Sequence, residues 1–162
     1  MCDNIVQNIC NMLKQCNKTV ATAESCTGGY LSHLLTSISG SSSYFCGSIV
    51  AYQPQCKVEL LQVNPQTIAK YTLVSKQVAT EMAQGTRKCF NADIGLATTG
   101  IAESDAEIND IWVGLADKFG SSAELLKVTG SRVSNIKSAS LRAMNILSDR
   151  LCLLHNQNTC QV

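Results

Sequence analysis

A short apolar strand that stops at two adjacent glycines and restarts as a helix constrains this chain more than any other feature. Thr19, Val20, Ala21 and Thr22 read as a buried strand, and Tyr30, Leu31, Leu34 and Leu35 recur at the spacing of one helical face. The join reads T-A-E-S-C-T-G-G over residues 22–29. Adjacent glycines permit backbone turns closed to other residues, and the first amides of the following helix point outward without intrahelical partners. Such a corner offers Thr27, Gly28 and Gly29 to a phosphate or a developing oxyanion, with the hydroxyl of Ser25 beside them. The same residue types also make an ordinary capped turn.

The pattern continues around this corner as alternating helices and strands. Ile5, Val6, Ile9, Cys10, Leu13 and Cys16 predict an opening amphipathic helix. Ser39 to Ser43 predicts a turn, Tyr44 to Tyr52 a strand that ends before Pro54, and Gln55 to Leu61 a short helix carrying Lys57. Another short helix follows Asn64-Pro65, and Val78, Ala79, Met82, Ala83 and Thr86 mark a longer one with Ser75 as its N-cap. Asp93 to Thr98 reads as a strand ending in the small polar corner Thr98-Thr99-Gly100. Strands near Ile111 to Ala116 and Ala123 to Val128 are joined by a turn at Gly120 to Ser122, and Val133 to Leu147 closes the fold as a helix. This order predicts a three-layer α/β/α sandwich with a mixed β-sheet. A single domain over 1–155 and a polar tail over 156–162 are expected.

Apolar residues make up 45% of the chain and charged residues 15%, a balance that excludes a disordered chain. The net charge of +1 supplies no basic field for nucleic acid, and no apolar run reaches the length of a membrane span. The cysteines number nine, an odd count with no C-x-x-C pair and no signal peptide before them. A reducing cytoplasm is therefore expected, with no metal and no cofactor. Cys10 and Cys89 are expected on apolar helix faces. Cys26, next to Ser25, is a candidate thiol nucleophile only if a base lowers its pKa. His33 and His155 receive no role.

Taken together, T-A-E-S-C-T-G-G, G-S-S-S-Y-F-C-G-S-I-V-A-Y, C-K-V-E-L-L around Lys57, V-S-K-Q-V-A-T-E-M-A and T-T-G-I-A resemble the CinA carboxy-terminal domain family over most of the chain. Members of that family include nicotinamide-nucleotide amidohydrolases, which convert nicotinamide mononucleotide to nicotinate mononucleotide and ammonia. The resemblance implies a stand-alone form of the domain, assembled as a homo-oligomer, dimer or higher. It also implies a serine and a lysine as the reacting pair. Lys57 is the expected base, and Ser25 and Ser42 both fall at family site positions, Ser25 being favoured because its corner exposes a hydroxyl beside free amides. Tyr52 matches a family pocket tyrosine that orients the lysine or stacks on the pyridine ring. Thr99 and Gly100 match a ligand-contacting corner, and Arg132 matches an arginine placed for the substrate phosphate.

One segment departs from the family pattern. Where active members carry a glycine- and proline-rich loop after T-G-I-A, this chain has the shorter E-S-D-A-E-I-N-D. Glu103, Asp105, Glu107 and Asp110 are expected to set negative charge near an anionic substrate. The leading expectation is a nicotinamide-nucleotide amidohydrolase. The alternative is a non-catalytic relative that binds a nucleotide or a protein partner.

Overall fold

The computed structural model describes residues 2–159, with side chains described over 4–155. The apolar spacing of the first segment forms α1 (Cys2–Gln15), followed by β1 (Val20–Glu24) and α2 (Tyr30–Thr36). A single 3-10 turn over Ser41–Ser43 leads into β2 (Phe45–Val50). Pro54 opens α3 (Pro54–Leu61) at a position where its missing N–H costs nothing. Pro65 does the same for α4 (Pro65–Tyr71), whose Asn64 cap accepts from the Gln66 amide at 2.9 Å. As expected, Ser75 caps α5 (Lys76–Cys89), accepting from the Val78 amide. Then come β3 (Ile94–Gly100), β4 (Asn109–Asp117), β5 (Gly120–Val128) and α6 (Arg132–Thr159).

The sheet runs β2-β1-β3-β4-β5. β1 pairs in parallel with both β2 and β3, whereas β3, β4 and β5 are antiparallel neighbours. The predicted mixed sheet is therefore present, with helices on both faces. On one face Val20, Ile94, Leu96, Val113 and Leu115 meet large side chains of α1, α2 and α6. Each such fully buried Leu, Ile or Val contributes about 1.5–3 kcal/mol, so most of the burial energy lies here. The other face presents Ala23, Ala97 and Ala116 to α3 and α5, which makes for closeness rather than bulk. A Cβ at Gly95 would stand 2.1 Å from the Ala83 carbonyl oxygen, and one at Gly85 would stand 2.0 Å from that of Leu61. α5 thus touches the sheet and α3 backbone to backbone.

Three expectations are corrected. The hairpin turn falls at Lys118 and Phe119, not at Gly120 to Ser122, because Asp117 accepts from the Phe119 amide at 2.8 Å and pairs directly with Gly120. Cys89 is exposed, since α5 ends there, beyond the start of β3. The closing helix continues past His155 to Thr159, while the remainder of the expected tail, 160–162, lies outside the described residues. Among the described residues no helix is long and apolar enough to cross a membrane.

Candidate active site

β1 ends at Glu24, and the amide of Ser25 extends its parallel pairing by donating to the Thr98 carbonyl at 3.0 Å. The chain then turns through Gly28 at φ +58° and Gly29 at φ +102°, left-handed conformations that favour glycine. The start of α2 is not open as expected. The carboxyl group of Glu24, fully buried, accepts from the amides of Gly29 at 2.9 Å, Leu31 at 3.1 Å and Ser32 at 2.8 Å. The hydroxyls of Thr27, at 2.7 Å, and Ser32 also donate to it. An internal carboxyl therefore fills the anion position of this helix. The Thr27 hydroxyl and the Gly29 amide are thus committed to Glu24. Sequence reasoning missed Glu24; the available signal was a single acidic residue at the end of an otherwise uncharged buried strand. Among the described residues, the amides of Cys26 and Thr27 meet no backbone acceptor, and the Cys26 amide faces its own thiol.

Lys57 points from α3 toward the same corner with only 1% of its surface exposed. Its Nζ donates to Ser25 Oγ at 2.9 Å, to the Ala51 carbonyl at 2.5 Å and to the Tyr52 carbonyl at 3.4 Å. Among the described residues it has no carboxylate partner within salt-bridge distance. Burial therefore pulls its pKa below the usual lysine value, although Cys26 and Cys56 oppose the shift. A lysine kept closer to its neutral form, in contact with a serine hydroxyl, can accept that hydroxyl's proton. Cys26 moves the other way: burial pushes its thiol up to about 11, so it stays protonated and poorly nucleophilic near neutral pH.

A cleft of about 280 Å³ opens over Ser25 and Lys57, and Tyr52, Thr99, Glu103 and Arg132 contribute to its walls. Arg132, the first residue of α6, donates from Nη2 to the Tyr52 hydroxyl at 2.8 Å, while its amide donates to Glu103 Oε1 at 3.3 Å. Thr99 Oγ1 donates to the Leu73 carbonyl at 2.9 Å and so fastens one wall. Gly100 also lines the cleft, but a Cβ there would lie 2.5 Å from Ile111 Cα, so packing against β4 already requires glycine. Ser42 is not brought to this place. It precedes β2 next to the start of β1, whereas Ser25 follows the end of β1, a strand length of roughly 16 Å away. Larger hollows of about 360 and 350 Å³ surround Phe119 and Gly120 at the β4–β5 turn. Neither contains the Ser25–Lys57 contact.

Over residues 2–151 the sequence matches the CinA C-terminal domain. The chain belongs to the CinA C-terminal domain family. A CinA-like protein from Cytophaga hutchinsonii is 40% identical over 154 residues, covering 92% of this chain and 37% of the relative. Another from Synechocystis is 41% identical over 135 residues, covering 80% of this chain and 32% of the relative. The chain thus spans well under half the length of these curated relatives. Among solved structures, a CinA superfamily protein from Klebsiella pneumoniae superposes with a TM-score of 0.89 at 24% identity, covering 94% of this chain and 98% of that one. A competence/damage inducible protein from Agrobacterium tumefaciens gives 0.81 at 26% identity, with coverages of 91% and 94%. These likenesses extend the family fold over nearly the whole chain.

Proposed function

We propose that this chain hydrolyses the carboxamide of a nicotinamide ribosyl compound, with nicotinamide mononucleotide as the substrate implied by the family resemblance. The observation that carries the reading is the 2.9 Å contact between Ser25 Oγ and the buried, unpaired-by-carboxylate Lys57. Neutral Lys57 accepts the Ser25 proton as Oγ bonds to the amide carbon. The amides of Cys26 and Thr27 are the donors for the resulting oxyanion. The C–N bond breaks as Lys57 returns the proton to the leaving nitrogen, releasing ammonia and leaving a Ser25 ester. Water, deprotonated by the same amine, cleaves that ester to the free carboxylate and restores Ser25. Tyr52 and Arg132 line the route to the substrate's ribosyl end.

Ammonia release from nicotinamide mononucleotide tests the proposal. Release is expected from the intact chain and its loss from Ser25→Ala; an unaffected Ser25→Ala variant would remove the mechanism. A second reading, a non-catalytic binding protein of this family, draws support from Glu103, whose acidic side chain shares the cleft with Arg132. That reading predicts ligand binding without ammonia.

A further inference from the structure

The cleft's outer end carries a charge arrangement unsuited to a phosphate. From the reacting pair outward, the Tyr52 carbonyl lies 3.4 Å from Lys57 Nζ, its hydroxyl accepts from Arg132, and the Arg132 amide is met by Glu103 at 3.3 Å. The Arg132 guanidinium and the first amides of α6 would both attract an anion. Glu103 places a carboxylate on the first of those amides, and the residues that follow it, 104 to 108, are exposed. A phosphate entering here must displace Glu103 or lie against a like charge. A sugar hydroxyl meets no such penalty, because it can donate to the same carboxylate.

Resting on the amidohydrolase reading above, we propose that Glu103 occupies the position a substrate phosphate would take, and so makes the dephosphorylated nucleoside carboxamide the preferred substrate over the nucleotide. Glu103 is then the specificity-determining residue of the cleft. It acts through charge, not through its contact with the backbone, because a glutamine at this position keeps an oxygen that accepts from the Arg132 amide.

The test compares kcat/KM for nicotinamide mononucleotide and its dephosphorylated nucleoside in the intact chain and in Glu103→Gln. The intact chain is expected to favour the nucleoside, and Glu103→Gln is expected to shift the ratio toward the nucleotide by roughly tenfold or more, as removal of a like charge at contact distance requires. Glu107→Gln, on the same loop but outside the cleft lining, controls for general charge and is expected to leave the ratio within about twofold. A calorimetric titration with ribose 5-phosphate gives a readout free of turnover, with Glu103→Gln expected to bind roughly tenfold more tightly. An intact chain that prefers the nucleotide, an unchanged ratio and affinity in Glu103→Gln, or an equal effect of Glu107→Gln overturns the inference. If neither compound yields ammonia while Glu103→Gln still gains affinity for ribose 5-phosphate, the amidohydrolase reading fails and the charge assignment at the cleft stands.

Discussion

Replacing Lys57 with Met separates what this residue does for the reaction from what it does for the fold. A positioned base is worth about 10²–10⁴ in rate, and in the proposed mechanism Lys57 also returns the proton to the leaving ammonia, so turnover should fall by about 10³-fold or more. The fold should barely respond. Methionine leaves the Ala51 carbonyl without its 2.5 Å donor, a loss of about 1–3 kcal/mol. That loss is offset by no longer burying an ammonium that lacks a carboxylate partner. The two nearly cancel, so the melting temperature should stay within about 8 °C of the parent, the equivalent of about 2 kcal/mol in a chain of this size. The pH dependence supplies the sharper test. Because burial lowers the Lys57 pKa, the folded state binds this proton less well than the unfolded chain. The penalty is complete below the folded pKa and is relieved as pH rises toward the ordinary lysine value of 10.5. The stability of the parent relative to Lys57→Met should therefore climb with pH in that window, by about 1.4 kcal/mol for each tenfold change in proton affinity. Urea denaturation of both proteins across the alkaline range, with ammonia release measured beside it, would decide. Turnover within threefold of the parent, or parallel stability curves, would refute the assignment.

Three further expectations concern other residues. Ser25→Ala should abolish ammonia release while ligand binding measured by calorimetry persists, and Ser42→Ala should leave kcat within about twofold, since Ser42 lies at the far end of the sheet; the reverse ranking would reject Ser25 as nucleophile. Glu24→Gln should lower the urea-derived stability by about 3 kcal/mol, because an amide nitrogen cannot accept from the donors that converge on this carboxyl, and a change below about 0.5 kcal/mol would contradict its anchoring role. Asp117 is pushed up by burial but held below its ordinary 3.8 by Arg150, at 2.5 and 2.8 Å, and by the amides of Phe119 and Gly120. Its contribution is thus present above pH 3.8 and lost as pH falls through the lower folded value, so Asp117→Asn should flatten the acid limb of the stability curve.

The corner and the order of elements were legible because each is written in local terms, a periodicity, a cap, a glycine pair, whereas Lys57 was singled out only by the family resemblance. Ser75 and Asn64 announce their helices with the side chains that cap them. What escaped reading depends on contacts across the fold. The glycine pair reads as an open anion nest until Glu24, the residue just before Ser25, folds back and fills it. Ser42 matches a motif position, but only the parallel register of β1 and β2 reveals that it belongs to the opposite end of the sheet. The hairpin moved by two residues because an Asp side chain, not the glycine, closes the turn. Tyr52 and Arg132, far apart in sequence, meet only through the placement of α6.

Gly85 makes the alignment of Lys57, the proposed base, a property of a helix that does not line the cleft. A methyl group there would have to drive the Leu61 carbonyl outward by about an ångström or more to reach ordinary contact. Leu61 closes α3, one helical turn beyond Lys57, so an eight-residue helix transmits the push directly to the base. The 2.9 Å gap to Ser25 has little slack to absorb it. A library of random substitutions should therefore yield a class of folded but silent variants whose lesion lies beneath the cleft, on α5. In those variants the defect is one of distance, and a small residue restored at position 85 should revive turnover without any change to the chemistry above it.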